Sequence, residues 1–360
     1  MNVASLHDRF KLQGKSFSQV TDLLSFVKNE IPELTQFLQA WFNEKSYVEV
    51  STSGSTGRPK IIRLTKLAMR ESAKATGSFF SLEEGSKALL CMDSSYIAGK
   101  MMIVRSLELG WELDVVKPNA SPLQNNSVHY DFVAMVPLQL YNSMDQLHQI
   151  KKLIVGGGAV KRSIQEELQG LATEVYATYG MTETSTHIAL KRLNPMIVES
   201  VAIREPYKVL KGISIGTDSR GCLTIEAPHL FDGLLITNDL VDLVGDSSFH
   251  WLGRSDSIIN SGGVKLIPEL IESKMENLIS NRYFLVGLSD AMLGQKLVLC
   301  IEGEVWNDHA KQELLNALKH RADLHPYELP KEILFISEFS ETQTGKINRK
   351  RSLKKRNVSK

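Results

Sequence analysis

Apolar side chains recur at spacings of three and four through the first 46 residues, which predicts a helical N-terminal region. Pro32 is predicted to open the second helix, because its missing N–H costs nothing in a first helical turn. The apolar positions of this pattern are Leu23, Leu24, Phe26, Val27, Ile31, Leu34, Phe37, Leu38, Trp41 and Phe42.

From residue 47 onward, short strand-like segments alternate with helical ones, which predicts a parallel sheet with helices on both faces. Ligands of such sheets bind beyond the carboxyl ends of the strands. Three polar segments are predicted there, namely the loop after YVEV, GGGAV and YGMTE. The predicted strands are YVEV (47–50), ALLCM (88–92), ELDVV (112–116), DFVAMV (131–136), KLIVGG (152–157) and EVYATYG (174–180), with helices near 65–80 and 101–110.

The pattern changes twice more along the chain. Residues 200–252 carry short β segments between Gly and Asp turns, which predicts an antiparallel subdomain or barrel. A mixed set of helices and strands begins near residue 255. We therefore expect an α/β protein with a large N-terminal domain (1–254) of layered, mostly parallel sheets flanked by helices. It would include a small β-rich subdomain and be followed by a small, mobile α+β C-terminal domain (255–360).

Composition narrows the class of function. A net charge of +1 gives no broad electrostatic case for nucleic acid or an anionic membrane, and the basic tail is interpreted as a solvated terminus. The three cysteines are far apart and predict neither a zinc site nor a disulfide framework. The sequence shows neither a signal-peptide core nor an apolar run long enough to span a bilayer. We expect a cytoplasmic protein without nucleic-acid partners or membrane insertion; the oligomeric state is not indicated.

The loop STSGSTGRPK (51–60) combines hydroxyls, glycines and cations, which favours phosphate binding. It does not fit the ordinary P-loop, because its two glycines are only three residues apart and Pro59 precedes its lysine. A Rossmann fingerprint at Gly156 and Gly158 fails as well, since its third glycine position is Lys161. Taken alone, the loop is also compatible with a flexible surface linker.

Four motifs in order resemble the acyl-adenylating enzymes, which include acyl- and aryl-CoA ligases, luciferases and nonribosomal adenylation domains. The loop resembles their [ST]-S-G-[ST]-T-G-x-P-K signature, with Ser55 as a common replacement. The other three motifs are YGMTE (179–183), ITNDLVDL with WLGRSDSIINSGGVKLIPELIE, and TQTGKINR (342–349). The resemblance implies that a carboxylate attacks the α-phosphorus of MgATP, and that a thiol, usually that of CoA, then displaces AMP.

The resemblance also implies a set of nucleotide-binding residues. Thr182 would contact the α-phosphate, and Glu183 would bind Mg²⁺ through a carboxylate oxygen. Tyr179 would stack on adenine, with Gly157, Gly158 and Ala159 passing beneath the ring. The β- and γ-phosphates would be held by Ser51, Thr52, Ser53, Gly54, Ser55, Thr56, Gly57 and Lys60.

Three further residues would act at the ribose and the reacting atoms. Asp239 would accept hydrogen bonds from both ribose hydroxyls, and Arg254 would add donors nearby. Lys346 would neutralise charge between the attacking carboxylate and the α-phosphate. The non-functional interpretations of these residues are a turn residue for Asp239 and a surface ion pair for Arg254.

Asp256 falls where the family keeps the hinge on which its small domain rotates between the two half-reactions. Gly262 and Gly263 would line a narrow channel for the pantetheine arm of CoA, although a glycine pair is also typical of a plain tight turn.

The acid is indicated less strongly than the reaction. The short N-terminal region and the YIAGKMM segment look most like bacterial o-succinylbenzoate–CoA ligases of the menaquinone pathway. Lys100 is the predicted cation for a dianionic acid, unless it is a snorkelling surface lysine, and Thr184 and Ser185 are further pocket candidates. Another aryl- or acyl-CoA ligase, a module that loads a carrier protein and a non-catalytic AMP-binding relic remain the alternatives.

Several features depart from the family pattern. Only about 50 residues precede the loop, so we expect part of an N-terminal sheet to be missing. The segment after ALLCM has no histidine, Asn238 replaces the glycine of T-G-D, and Glu341 stands near the usual proline. These departures concern the acid and the architecture more than the nucleotide site.

Overall fold

A computed structural model of the chain describes residues 6–51, 61–195, 205–342 and 346–355. Its largest element is a mixed sheet that continues from a parallel half into an antiparallel half. The parallel strands of this sheet are β5 (Lys87–Leu90), β6 (Glu112–Val115), β7 (Tyr130–Met135), β8 (Ile150–Val155) and β9 (Glu174–Gly180), in the spatial order β9-β8-β7-β5-β6.

Apolar side chains cover both faces of the parallel half, as is typical of strands buried between two layers of helices. On β7, Phe132 and Ala134 belong to one core cluster, whereas Val133 and Met135 belong to the other. The helices of this part of the chain are α3 (Lys66–Phe80), α4 (Ile97–Leu109), α5 (Pro137–Asn142) and α6 (Arg162–Glu167). The predicted α/β class is therefore confirmed.

Local signals account for the ends of two of these helices. The Oγ1 of Thr65 accepts a hydrogen bond from the N–H of Ala68 at 3.1 Å and so caps the start of α3. Gly110 ends α4 with a φ of +65°, a conformation that favours glycine, as the sequence predicts.

Most strands of the antiparallel half lie in the segment 200–252, for which the sequence predicts β structure, but the first one (His187–Arg192) precedes it. This first strand pairs with the edge of β9, so the strands of this half continue the large sheet and do not form a separate one. They are β10 (His187–Arg192), β11 (Tyr207–Val209), β12 (Ser214–Thr217), β13 (Cys222–Glu226), β14 (Leu234–Leu243) and β15 (Ser248–Arg254).

The N-terminal region contains the two predicted helices, α1 (Val20–Glu30) and α2 (Thr35–Phe42). Pro32 opens a 3₁₀ turn that leads into α2, rather than α2 itself. The expectation of helices alone is wrong, because β1 (Lys11–Leu12) and β2 (Lys15–Ser16) form a hairpin at the sheet edge. Gln13 and Gly14 make its two-residue turn with positive φ angles, and so short a hairpin leaves no periodic signal.

The predicted strand YVEV is observed, but its placement in the parallel sheet is wrong. It forms β3 (Tyr47–Ser51), which pairs antiparallel with β4 (Ile61–Thr65) in a separate two-stranded sheet. The alternating pattern of strands and helices assigns YVEV to the parallel sheet, because the pattern does not identify IIRLT (61–65) as a strand that pairs back with it. The intervening residues 52–60 lie outside the described part of the chain.

After Arg254 the chain leaves the large sheet and enters a smaller one, built from five strands in the described residues. This change falls at the predicted domain boundary; the division into two domains and the mobility of the second remain predictions. The C-terminal elements are β16 (Ile259–Ser261), β17 (Val264–Leu266), α7 (Pro268–Met275), β18 (Tyr283–Asp290), β19 (Gly294–Glu302), α8 (Asp308–Lys319), β20 (Glu332–Ile336) and α9 (Arg349–Lys355). In the described part of the chain, no helix combines the length and the apolar character needed to cross a membrane.

The buried side chain of Asn194 predicts a stability effect. Its Oδ1 accepts from the N–H of Val175 at 2.8 Å, and its Nδ2 donates to the carbonyl oxygens of Thr173 and Leu168 at 2.8 and 3.1 Å. Asn194→Ala would leave these buried backbone groups without hydrogen-bond partners, so we expect a loss of about 2–4 kcal/mol in the free energy of unfolding. Denaturant unfolding measures this loss, and the exposed Asn142→Ala, which breaks one bond to Ala120, is the matched control. Equal losses in the two variants would contradict this account.

Candidate active site

The turn that follows β9 forms the floor of the candidate site. A Cβ on Gly180 would lie 2.3 Å from the carbonyl oxygen of Thr186, so only glycine allows the chain to fold back this closely. The 3₁₀ turn Thr182–Thr184 follows, with Glu183 exposed and Thr184 buried. Ser185 has a φ of +64°, and its buried Oγ contacts no hydrogen-bond partner among the described residues. Such strain in a polar turn is typical of functional sites.

The two ends of the polar loop meet close to this turn. Ser51 pairs with Ile61 at the open end of the two-stranded sheet, and β4 lies against the turn Thr182–Thr184. The loop therefore leaves from and returns to the place where its predicted phosphate contacts would be needed. The predicted phosphate ligands Thr52, Ser53, Gly54, Ser55, Thr56, Gly57 and Lys60 lie outside the described residues, and their roles stay predictions.

A buried carboxylate, that of Asp239 on β14, is the centre of the second part of the site. Its Oδ2 accepts a hydrogen bond from the Tyr179 hydroxyl at 2.7 Å, and its Oδ1 accepts one from Trp251 Nε1 at 3.3 Å. The guanidinium of Arg254 lies 3.5 Å from the same Oδ1, because Arg254 is the antiparallel partner of Asp239 on β15. These three donors come from two strands, β9 and β15, and hold one carboxylate on β14.

The ring of Tyr179 packs against other aromatic side chains. It meets Phe249 edge-on at 5.1 Å and lies 6.0 Å from Tyr207. Burial, together with the neighbouring Asp239 carboxylate, raises the pKa of Tyr179 far above its ordinary range, so the hydroxyl stays a donor. Whether its ring stacks on adenine remains a prediction.

The predicted adenine-contacting glycines follow β8, beside the end of the neighbouring strand β7. The N–H of Gly156 donates to the carbonyl oxygen of Met135 at 3.0 Å. Gly157 has a φ of +82°, and a Cβ on it would lie 3.7 Å from Val136. Gly157, Gly158 and Ala159 thus lie at the carboxyl edge of the sheet, as predicted, and their contact with adenine stays a prediction.

Arg254 also holds the predicted hinge residue. Its Nε and Nη2 donate to the two carboxylate oxygens of Asp256 at 2.9 and 3.1 Å, a bidentate pair. This hydrogen bonding lowers the pKa of the Asp256 carboxyl and raises that of Arg254. One guanidinium therefore connects the carboxylate of the site to the segment where the chain changes sheets.

Lys346 from the C-terminal part lies near the same charges. Burial lowers its pKa, as does the Arg254 guanidinium, whereas the Asp239 carboxylate raises it. Its backbone is fixed by Thr342, whose N–H donates to the Lys346 carbonyl at 2.8 Å and whose Oγ1 accepts from the Lys346 N–H at 3.2 Å. The structure thus brings together Tyr179, Asp239, Arg254, Asp256 and Lys346.

Two other predicted groups have plain structural roles in this structure. Gly262 and Gly263 form the turn between β16 and β17 with φ angles of +57° and +84°. The buried ammonium of Lys100 donates to the carbonyl oxygens of Ser94 and Ser95, and burial lowers its pKa. The glycine turn and the Lys100 hydrogen bonds are both local structure. The predicted roles of these residues in a CoA channel and an acyl pocket remain predictions.

Arg105 on α4 is a residue that the sequence reasoning missed. Its guanidinium is fully buried, donates to Thr186 Oγ1 at 3.0 Å and to Thr76 Oγ1 at 3.2 Å, and lies 3.5 Å from His187 Nδ1. No carboxylate in the described part of the chain pairs with it. Burial lowers the pKa of Arg105 to about 9, and that of the adjacent His187 well below its ordinary value. The signal was one cation inside the apolar helix MMIVRSLEL.

Comparison with known proteins agrees with the motifs. The family model described as "AMP-binding enzyme" matches residues 46–206. A probable 2-succinylbenzoate–CoA ligase of Mycobacterium tuberculosis is 30% identical over 327 residues, covering 83% of this chain and 82% of that protein. The 2-succinylbenzoate–CoA ligase of Lactococcus lactis is 27% identical over 357 residues, covering 92% and 76%.

Solved structures agree on the fold. An AMP-forming acyl-CoA synthetase/AMP-acid ligase II-like protein from Dyadobacter fermentans is 39% identical, with a TM-score of 0.58 and coverage of 90% of this chain and 93% of that one. The o-succinylbenzoate coenzyme A synthetase of Bacillus subtilis, solved with ATP and magnesium, is 16% identical, with a TM-score of 0.74 and coverage of 93% and 82%. On its motifs, its fold and its identity to relatives along most of their length, this chain belongs to the AMP-binding enzyme family and is an AMP-forming ligase.

Proposed function

We propose that this protein is an ATP-dependent acid–CoA ligase that converts o-succinylbenzoate into o-succinylbenzoyl-CoA in menaquinone biosynthesis. The observation that carries the adenylation chemistry is the convergence of Asp239, Arg254 and Lys346 near Tyr179, on the strand that leads into the Thr182–Thr184 turn, against which β4 at the end of the polar loop lies. The choice of acid is supported by the names of the relatives reported above. Because ATP and CoA are cytoplasmic metabolites, we place the reaction in the cytoplasm.

In the first half-reaction, an oxygen of the ionised acid attacks the α-phosphorus of ATP, the bond from that phosphorus to the bridging oxygen breaks, and pyrophosphate leaves. No proton moves in this step, so the task of the protein is positioning and charge stabilisation. Lys346 supplies a cation to the α-phosphate and the attacking carboxylate. Asp239 accepts hydrogen bonds from the ribose hydroxyls. Its two oxygens have room for these bonds, because a carboxylate can accept more than the two hydrogen bonds that Tyr179 and Trp251 already donate to it.

In the second half-reaction, the CoA sulfur attacks the acyl carbon as its thiolate, and the carbon–oxygen bond to AMP breaks. The thiol proton goes to solvent. We infer that the segment after Arg254 turns about Asp256 between the two steps, which would remove Lys346 and bring Gly262 and Gly263 to the pantetheine arm. The bidentate contact of Arg254 with Asp256 supports a role for this residue in holding one of the two orientations.

The side chains present fit a magnesium ion that is held mostly by the phosphates of ATP. Glu183 offers an exposed carboxylate on the turn where the triphosphate is expected. Among the residues that the structure describes, no cluster of three or more His, Cys, Asp or Glu side chains forms a cage of its own. Magnesium typically takes one or two carboxylates and completes its shell with water and phosphate. When bound, it would neutralise charge on the leaving pyrophosphate.

The acid itself carries two carboxylates, of which only one is activated. The second needs a cation, and the guanidinium of Arg105 is buried without a carboxylate partner in the described residues. A buried charge of this kind is costly unless an anion is supplied. We propose that Arg105 faces the second carboxylate and that the free Oγ of Ser185 and the neighbouring Thr184 contribute to the same pocket.

The first experiment is ATP–pyrophosphate exchange with Mg²⁺ over a panel of carboxylic acids, followed by addition of CoA. We expect exchange with o-succinylbenzoate above other aryl and medium-chain acids, and acylation of CoA afterwards. Lys346→Ala should lower the exchange rate at least about 100-fold while ATP binding, measured by calorimetry, is kept, because the lysine acts on the transition state.

Three results of the panel would contradict the proposal in different ways. Exchange with another acid would overturn the substrate and keep the mechanism. Exchange followed by acylation of a phosphopantetheinyl carrier protein but not of CoA would make the chain a carrier-loading module. An absence of exchange with every acid, with ATP still bound, would indicate a nucleotide-binding relic.

The acid-binding cation can be identified by two matched variants. Arg105→Met should raise KM for o-succinylbenzoate on the order of 30-fold and leave KM for ATP unchanged, because it removes the buried cation that would pair with the second carboxylate of the acid. Lys100→Met should have a much smaller effect, since the ammonium already donates to two backbone carbonyls. Steady-state kinetics with circular dichroism to check folding gives both values. A larger effect for Lys100→Met would restore the prediction made from the sequence.

The hinge role of Asp256 predicts a split between the half-reactions. Asp256→Pro should leave ATP–pyrophosphate exchange within about threefold and lower CoA acylation about tenfold or more, because proline fixes φ at the turning point. Asp256→Ala is the matched control, since it also removes the contact with Arg254 but leaves the backbone free. Rapid-quench measurement of each step distinguishes them, and equal loss of both steps in Asp256→Pro would argue against a hinge.

A further inference from the structure

A partly buried cluster of two glutamates and one arginine lies between the hinge segment (Ser255–Ser257) and the segment that carries Lys346. Arg349 Nη2 donates to Glu272 Oε2 at 2.9 Å and lies 3.4 Å from Glu269 Oε1. Both glutamates belong to α7, whereas Arg349 follows Lys346 by three residues. None of these three residues has a role in the proposed chemistry.

The cluster is tied to the hinge on one side. The hydroxyl of Ser257, within the 3₁₀ turn that contains Asp256, lies 2.8 Å from Glu269 Oε1 and 2.9 Å from the carbonyl oxygen of Arg254. The other oxygen of Glu269 is buried without a partner among the described residues. A Cβ placed on Gly253 would lie 2.7 Å from that oxygen, so α7 packs closely onto the end of β15.

On its other side the cluster is tied to the C-terminal sheet. The N–H of Leu285 on β18 donates to Glu272 Oε1 at 2.7 Å, and Arg349 Nη1 donates to the Leu285 carbonyl at 3.3 Å. Burial raises the pKa of Glu272 to about 7, and Glu269 adds to this rise, whereas Arg349 and the Leu285 N–H oppose it. One guanidinium thus serves two carboxyl groups, and its fork fixes the chain three residues from Lys346.

We propose that Arg349, which forms ion pairs with Glu269 and Glu272, is a positioning residue. It couples the hinge segment to Lys346 and so places the lysine at the reacting atoms. The inference rests on the proposed adenylation function for its kinetic consequence only. The path runs from Ser257 through Glu269 to Arg349, and from there along the backbone to Lys346. Its rigidity decides how well the cation is held where charge develops, and a misplacement of about 1 Å is known to cost up to about 100-fold in rate.

The test uses Arg349→Lys, because a neutral substitution would leave two partly buried carboxyl groups without their shared cation and destabilise the region. Lysine keeps the charge but has a single nitrogen, so it cannot hold the glutamates and also donate to the Leu285 carbonyl as Arg349 does through Nη2 and Nη1. We expect the adenylation kcat to fall about tenfold or more while KM for ATP stays within about twofold. Arg351→Lys, an exposed change two residues further on, is the matched control and should keep the wild-type rate. Glu269→Gln, which removes the ion pair with Arg349 from the side of the glutamate, should reproduce the loss of adenylation rate.

A double variant shows whether Arg349 acts through Lys346. In the Lys346→Ala background, Arg349→Lys should cause no further loss of exchange, because the group that it positions is gone. If the two losses multiply instead, or if the thermal midpoint of Arg349→Lys falls far enough to account for the lost rate, the role is merely structural and the proposal is overturned. CoA acylation from supplied acyl-adenylate should stay within about threefold, since that step does not use Lys346.

A second readout needs no substrate. After reductive ¹³C-methylation, the Lys346 resonance, assigned by its absence in Lys346→Ala, is titrated by NMR. In wild type its pKa should lie below the ordinary lysine range, and in Arg349→Lys it should move up toward about 10.4, as the lysine moves away from the Arg254 guanidinium. An unchanged titration would overturn the proposal. An absence of exchange in wild type would defeat the proposed function alone, because this titration still decides the inference.

Discussion

The buried carboxylate of Asp239 is the group on which the arrangement of the candidate site depends. A charge in that position needs donors, and it takes them from Tyr179 on β9, from Trp251 and from Arg254 on β15. These strands belong to the two halves of the large sheet, one parallel and one antiparallel. The carboxylate therefore connects side chains of the two halves, and a ribose bound there would meet an acceptor whose orientation is already set.

Arg254 extends this constraint into the C-terminal part of the chain. Its guanidinium is shared between Asp239 and Asp256, so the contacts that shape the site also hold the segment where the chain changes sheets. A nucleotide whose ribose hydrogen-bonds to Asp239 would change the balance of charge around Arg254. The hold on Asp256 would then respond to what occupies the site, which is the requirement for a domain that changes orientation between two half-reactions.

Local signals in the sequence were enough for most of the architecture. The helix that ends at Gly110, the buried strands from ALLCM to EVYATYG and the antiparallel texture before Arg254 all have short-range causes. The failures concern strand pairing, once between strands separated only by residues 52–60 and once between segments far apart in the chain. Nothing local tells that Ile61–Thr65 returns to pair with YVEV, or that Lys11–Leu12 joins the sheet beside Glu112. A strand of two residues has no periodicity, and its partner Glu112 is 101 positions further along the chain.

The site shows the same division between local and long-range signals. Asp239, Arg254 and Lys346 were named because motifs carry them, and the structure adds that they lie together. Lys100 and Arg105 lie on the same helix, and sequence position alone favoured the lysine near the strand end. The contacts reverse that preference, because Lys100 has the Asp93 carboxylate nearby and donates to the carbonyls of Ser94 and Ser95, whereas no carboxylate pairs with Arg105 among the described residues. A buried cation without an anion is costly, so the proposed function assigns the second carboxylate of the acid to Arg105 and not to Lys100.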